Sequence, residues 1–204
     1  QRSSDGEWEW QEDDPNYGAA TTTIITTTAE AATVVVAPAS ATPQLPSGSY
    51  KPKQSLGQNY LRDGNTVAKM IRAFHTDMMR NHHHSDENDA PVLPPIVELG
   101  PGAGALTDKL VETYGAEALH CIEIDPRSVA LLRDKHPTLR IDHADVLQVD
   151  YPAMAQEQQQ PLCVIGNLPY YITSQILFAL AVASHVGAVL SASVTMQWEV
   201  GQRM

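Results

Sequence analysis

Residues 51–204 predict a doubly wound α/β domain with a mostly parallel sheet. Three observations carry that expectation. Short apolar runs alternate with segments whose apolar residues recur at helical spacing. The first run passes straight into a glycine-rich turn, Gly100-Pro101-Gly102-Ala103-Gly104. The second is followed by Asp125-Pro126, an N-cap residue with proline at the first helical position. Strands that alternate with helices build parallel sheets, because a parallel neighbour is reached only through a long crossover.

Taken in order, the elements begin after a different kind of sequence. Residues 1–50 carry acids around Trp8 and Trp10, then a Thr-rich run from Thr21 to Thr28, an Ala/Val run and Pro38, Pro43 and Pro46. No helical or strand period there is long enough to pack, so a low-complexity, disordered leader is expected. Only Arg2 opposes its acids, unlike an Arg-rich transit peptide. From Lys51 the charge reverses. Lys51, Lys53, Arg62, Lys69, Arg72 and Arg80 face only Asp63 and Asp77. A solvated helix face and a phosphate-contacting edge both account for that.

Val67, Met70, Ile71, Phe74 and Met78 mark one face of an amphipathic helix. Residues 81–95 break the pattern with His82-His83-His84, acids and prolines, and read as a solvated loop insertion. Adjacent histidines do not converge on one ion, and no metal site is expected. The strands are then expected at Ile96–Gly100, Leu119–Ile124, Leu139–Val146, Leu162–Gly166 and Ala192–Met196. Leu106, Leu110, Val111 and Tyr114 mark a helix after the first strand, and Val129 and Leu132 one after the second. Thr173 or Ser174 is expected to cap a helix through Ile176, Leu177 and Leu180. The last strand is expected to remain an open edge with unpaired backbone groups.

Composition excludes some classes. With 204 residues the chain is one domain plus an appendage and can bury a real core. Two cysteines make no disulfide framework, and both are expected as buried filling. No apolar stretch is long enough to span a membrane. A formal net charge of −11 argues against a simple basic nucleic-acid coat, though not against a local basic face.

The chemistry gathers at the strand ends. The spacing of the turn is G-x-G-x-G, not the dinucleotide G-x-G-x-x-G, and a glycine-rich turn after a strand is a nucleotide-binding arrangement that NAD, FAD and S-adenosylmethionine proteins share. Glu123 ends the second strand, where an acid can accept both hydroxyls of a ribose. Asp145 ends the third and suits an adenine amino group. Together they narrow the ligand to an adenosine-bearing cofactor. Asn167-Leu168-Pro169-Tyr170 follows the fourth strand. An exocyclic amine on a nucleobase is a poor nucleophile because its lone pair is delocalised into the ring. Two acceptors aimed at its hydrogens, the Asn167 amide oxygen and a carbonyl of Leu168 or Pro169, would expose that lone pair. Tyr170 can stack on a base taken out of its helix, and Pro169 fixes the turn.

Five motifs in this order, Lys53-Gln54-Ser55-Leu56-Gly57-Gln58-Asn59-Tyr60-Leu61, Glu98 to Thr107, Glu123-Ile124-Asp125, Asp145-Val146-Leu147 and Asn167-Leu168-Pro169-Tyr170, resemble the KsgA-type rRNA adenine dimethyltransferases, relatives of the Erm enzymes. The resemblance covers about residues 51–204. It implies a Rossmann-like class I methyltransferase fold that is incomplete at its C-terminal end. It implies S-adenosylmethionine as donor and two adjacent adenosines, in a hairpin loop near the 3′ end of small-subunit rRNA, as substrate. Carried over by position, Asn59 and Leu61 border the cofactor's methionine part, and Gly100 and Gly102 line its floor. Glu123 holds the ribose and Asp145 the adenine amine. Asn167 serves the cofactor edge and the target amine, with Leu168, Pro169 and Tyr170 completing the catalytic motif. The sequence departs from the family at Tyr171, in the insertion 81–95 and at Trp198, which replaces a usual Lys. The last strands and the small helical RNA-binding domain are absent from these residues, so the chain reads as a catalytic-domain fragment.

The expected partner is small-subunit rRNA or a ribosomal assembly particle, with a monomeric protein, no membrane, and a eukaryotic organelle favoured over the cytoplasm. Competing readings are an Erm-like large-subunit rRNA enzyme, an organelle transcription factor, a non-catalytic RNA-binding or assembly factor, and an NAD-dependent dehydrogenase. Asn167 and Tyr170 weigh against the last two.

Overall fold

The computed structural model describes residues 53, 58, 60–81, 93–169, 171–196 and 201–202, with the backbone of Thr23–Ile24. In chain order the elements are β1 Thr23–Ile24, α1 Gly64–Asn81, β2 Ile96–Leu99, α2 Ala105–Tyr114, β3 Leu119–Glu123, α3 Pro126–Lys135, β4 Arg140–His143, α4 Tyr151–Gln158, β5 Leu162–Asn167, α5 Thr173–His185 and β6 Val189–Met196. They form one sheet in the order β1-β6-β5-β2-β3-β4. The pairs among β2 to β6 are all parallel.

The central strands are pure apolar runs because helices cover both faces of the sheet. Every residue of β2 and β3 is buried, whereas the edge strand β4 buries only Ile141. One core layer joins α1, α2 and α3 to the sheet through Phe74, Met78, Leu110 and Leu132. The other packs α4 and α5 through Tyr151, Ile176 and Leu180. Phe74 is fully buried, and truncating such a side chain to Ala costs about 3–5 kcal/mol.

The chain moves outward from β2 to β3 and β4, then returns to build β5 and β6 on the other side. That reversal opens a crevice at the carboxyl ends of β2, β3 and β5, the place where open α/β sheets bind ligands. The expected doubly wound class is the observed one.

Four local expectations change. The strand expected over Leu139–Val146 stops at His143, because Asp145 turns the chain into a single 3-10 turn, Val146–Gln148. Helix α4 was not anticipated. Its apolar residues have little helical period, and Asp150 starts it by accepting from Ala153 N at 3.0 Å, with Pro152 in its first turn. Neither Thr173 nor Ser174 caps α5. Ile172 holds the cap position, and Thr173 Oγ1 donates back to Pro169 O at 2.9 Å.

Finally, the edge of β6 is not bare: Thr23 and Ile24 pair with Met196 and Thr195, antiparallel. β-Branched residues suit an extended strand, and an edge of unpaired N–H and C=O groups recruits one. The rest of the expected leader and His82-His83-His84 lie outside the described residues. Both cysteines are buried as expected. Among the described residues, no helix is long and apolar enough to cross a membrane.

Candidate active site

The glycine-rich turn is built by backbone geometry. Gly100, Gly102 and Gly104 have φ of 65°, 56° and 87°, the left-handed region that favours glycine. A Cβ on Gly104 would lie 2.6 Å from Leu132 Cδ2, so the turn also lets α2 seat closely against α3. A Cβ on Gly100 would meet nothing within 4 Å. The turn therefore leaves open room on the crevice side.

Glu123 sits beneath this turn at the end of β3. Its Oε2 accepts from Gly102 N at 2.8 Å and its Oε1 from Asp125 N at 2.8 Å. A carboxylate offers about four lone-pair sites, so both oxygens retain acceptor capacity. Burial pushes its pKa up, and the two backbone N–H groups hold it back. Asp145 closes the third strand end. Its Oδ1 accepts from Leu147 N at 2.9 Å, which fixes the carboxylate's direction at the crevice rim. Ile124 and Val146 line the same crevice and give it apolar walls suited to a flat ring.

The chain before α1 is tied to this strand end by Asp125. Asp125 caps α3 through Arg127 N and pairs with the Arg127 guanidinium at 2.6 Å. Its other contacts are Gln58 Nε2 at 3.0 Å and Lys53 Nζ at 3.5 Å. The Arg127 hydrogen bond, with that from Gln58, holds its carboxyl well below the usual range. Tyr60 donates to Gln58 Oε1 at 2.9 Å and lays its ring over Gly102.

β5 delivers Asn167. Its Oδ1 accepts from Thr195 Oγ1 at 2.7 Å, across the β5–β6 register that pairs these two residues. Leu168 N donates to Thr195 O at 3.1 Å. The carbonyl of Pro169 accepts from Thr173 Oγ1 and from Ile172 N, so it is committed to the start of α5. Leu168, the other source of a backbone carbonyl here, borders the crevice.

Leu61, Gly100, Gly102, Glu123, Asp145, Asn167, Leu168 and Pro169 thus border a single crevice. Asn59 and Tyr170 lie outside the described residues. Glu98 borders the same crevice, fully buried, with its pKa pushed up to about 8 by that burial. Its role, like those of Gln58, Tyr60 and Thr195, is not read from sequence spacing. Tyr171, where the sequence departs from the family, also borders the crevice and is exposed.

Residues 49–204 match the family model described as ribosomal RNA adenine dimethylase. The chain belongs to that family. Among similar dimethylase relatives, a ribosomal RNA small subunit methyltransferase A from Salinibacter ruber is 38% identical over 167 residues, covering 82% of this chain and 50% of that protein. Proteins of the same name from Chlorobium chlorochromatii and Shouchella clausii are 38% and 37% identical, covering 74% and 70% of this chain and 51% and 45% of theirs. The chain spans about half the length of these dimethylase relatives.

Proposed function

We propose that this chain is the cofactor-binding and catalytic half of an S-adenosylmethionine-dependent enzyme. It dimethylates N6 of two adjacent adenosines in a hairpin loop near the 3′ end of small-subunit rRNA, free or in an assembling subunit. One observation carries the reading: the Asn167-Leu168-Pro169 turn opens onto the same crevice as the glycine turn, Glu123 and Asp145. A cofactor site alone would suit many reactions. A pair of acceptors at its rim suits an amine.

The crevice fits the donor in its chemistry. Glu123 would accept the ribose hydroxyls, Asp145 the adenine amine, and the open room at Gly100, beside Gly102 with its Tyr60 cover, would take the chain between ribose and amino acid. Asn59 and Leu61 would border the methionine part. S-adenosylmethionine, when bound, supplies an electrophilic methyl group whose bond to sulfur breaks as the bond to N6 forms.

The protein's part is to make N6 nucleophilic. Asn167 Oδ1 and the Leu168 carbonyl accept the two amine hydrogens and draw nitrogen towards a tetrahedral shape. That withdraws its lone pair from the ring. Tyr170 stacks on the flipped base and spares some of the cost of leaving the helix. No strong base is required, because the proton on the newly methylated nitrogen is acidic and passes to water. The names carried by the relatives support rRNA of the small subunit as substrate.

The test is Asn167→Ala in the full-length protein. Interactions made mainly in the transition state lower kcat in preference to ground-state binding. Single-turnover methyl transfer to small-subunit rRNA should fall by orders of magnitude, with a much smaller change in S-adenosylhomocysteine affinity. Near-normal turnover would refute the assignment.

A further inference from the structure

Thr195 touches the Asn167 amide and the backbone N–H that follows it, and neither its position on a strand nor its type predicts that. Its hydroxyl donates to Asn167 Oδ1 at 2.7 Å. Its carbonyl accepts from Leu168 N at 3.1 Å. The residue is 2% exposed, so little water can replace either contact. The parallel register of β5 and β6 puts it directly beside Asn167, and Thr23–Ile24 pairs along the outer side of the same strand.

We infer that Thr195 is a positioning residue for methyl transfer: its hydroxyl holds the Asn167 amide and its carbonyl anchors the peptide joining Asn167 to Leu168, so that the turn carrying both proposed acceptors is held to β6. The inference rests on the role proposed for Asn167.

The physical reason lies in the amide itself. The last torsion of Asn is broad and roughly two-fold, so an unrestrained amide samples both faces. Turned over, it would present an NH2 group to an amine, donor against donor. In the observed orientation the Thr195 hydroxyl, set on a strand backbone, donates to the oxygen and holds it. An amide oxygen carries two acceptor sites, and a hydrogen bond to one of them orients the group. The donor also comes from β6, a regular strand buried at this point, so its position is set by the sheet and not by a loop. Groups on rigid elements hold a reactive geometry more closely than groups on loops.

The β-branched shape of Thr and the polarity of its hydroxyl can be separated by substitution. Thr195→Val keeps the shape and removes the donor. Thr195→Ser keeps the donor. The experiment is single-turnover methyl transfer to small-subunit rRNA by the full-length protein, beside S-adenosylhomocysteine titration, for Thr195→Val, Thr195→Ser and Asn167→Ala. Loss of one buried hydrogen bond to a catalytic group should slow Thr195→Val about tenfold. Its KM for rRNA and its S-adenosylhomocysteine affinity should change less than about twofold, which also reports an intact fold. Thr195→Ser should recover most of the rate.

Two outcomes overturn the inference while leaving the role of Asn167 intact. In one, Asn167→Ala is inactive but Thr195→Val transfers methyl at the wild-type rate. In the other, Thr195→Ser is as slow as Thr195→Val, which makes shape and not the hydroxyl the relevant property. If Asn167→Ala itself keeps the wild-type rate, the catalytic reading and this inference fall together.

Discussion

Two buried glutamates at neighbouring strand positions do different work because their partners differ. Glu123 receives two backbone N–H groups, whereas the donors beside Glu98 are side chains, the Thr107 hydroxyl and the weak donor Cys121 Sγ, the latter at 3.5 Å. Glu123 can therefore serve as a carboxylate under the turn. Replacing it with Ala should weaken S-adenosylhomocysteine binding roughly 10- to 150-fold, since charge-assisted hydrogen bonds are worth about 1.5–3 kcal/mol. Calorimetric titration checks this, and an unchanged dissociation constant in a folded variant contradicts the ribose role. Glu98 behaves oppositely. Burial raises its pKa from 4.5 to about 8, so the folded chain holds a proton there that the unfolded chain has released. The unfolded state then binds fewer protons, and stability falls as pH rises from 4.5 through 8, by at most about 1.4 kcal/mol per pH unit. Glu98→Gln cannot titrate. Its thermal stability should gain on that of the wild type from pH 5.5 to pH 8, and a pH-independent difference would contradict a protonated Glu98.

At the scale of elements, Asp125 links a helix start to the chain that precedes α1. It caps α3 and holds Arg127, Gln58 and Lys53 at once. Asp125→Ala should cost about 1–2 kcal/mol from the lost cap alone. It should also raise the dissociation rate of S-adenosylhomocysteine, because Tyr60 is held over Gly102 through Gln58. Stopped-flow displacement and a melting curve measure the two effects, and a lower melting temperature with an unchanged off-rate would separate capping from any grip on the site. The cap itself is plain in Asp125-Pro126, as α1 is in the period of Val67, Met70, Phe74 and Met78. Helix α4 is not plain, since Tyr151 and Ala155 are its only buried residues and leave almost no period to read. Asp145 was legible as an acid at a strand end, but not as the residue that stops the strand. Thr195 was invisible for a different reason: strand register, which sets it against Asn167, is a property of the assembled sheet and not of the sequence around either residue.

At the scale of the whole molecule, charge limits what this half can do alone. The net charge is −11, and the basic residues gather in two stretches, Lys51 to Arg80 and Arg127 to Arg140. Affinity for RNA rests largely on neutralised phosphates and falls steeply with salt. These 204 residues should bind the substrate hairpin weakly at physiological salt, and a form extended to the length of the relatives should bind it more tightly. Filter binding across a salt series checks that, and equal affinity with equal salt slopes would contradict it. The central claim is narrower and more chemical: this crevice places methyl groups on N6 of adenosine in small-subunit rRNA. The direct measurement incubates undermethylated small ribosomal subunits with the full-length protein and methyl-labelled S-adenosylmethionine, then separates the nucleosides of the digested rRNA. The account predicts label in N6,N6-dimethyladenosine at two adjacent positions near the 3′ end, and none with Asn167→Ala. Label in another nucleoside, in large-subunit rRNA alone, or undiminished in Asn167→Ala would contradict it.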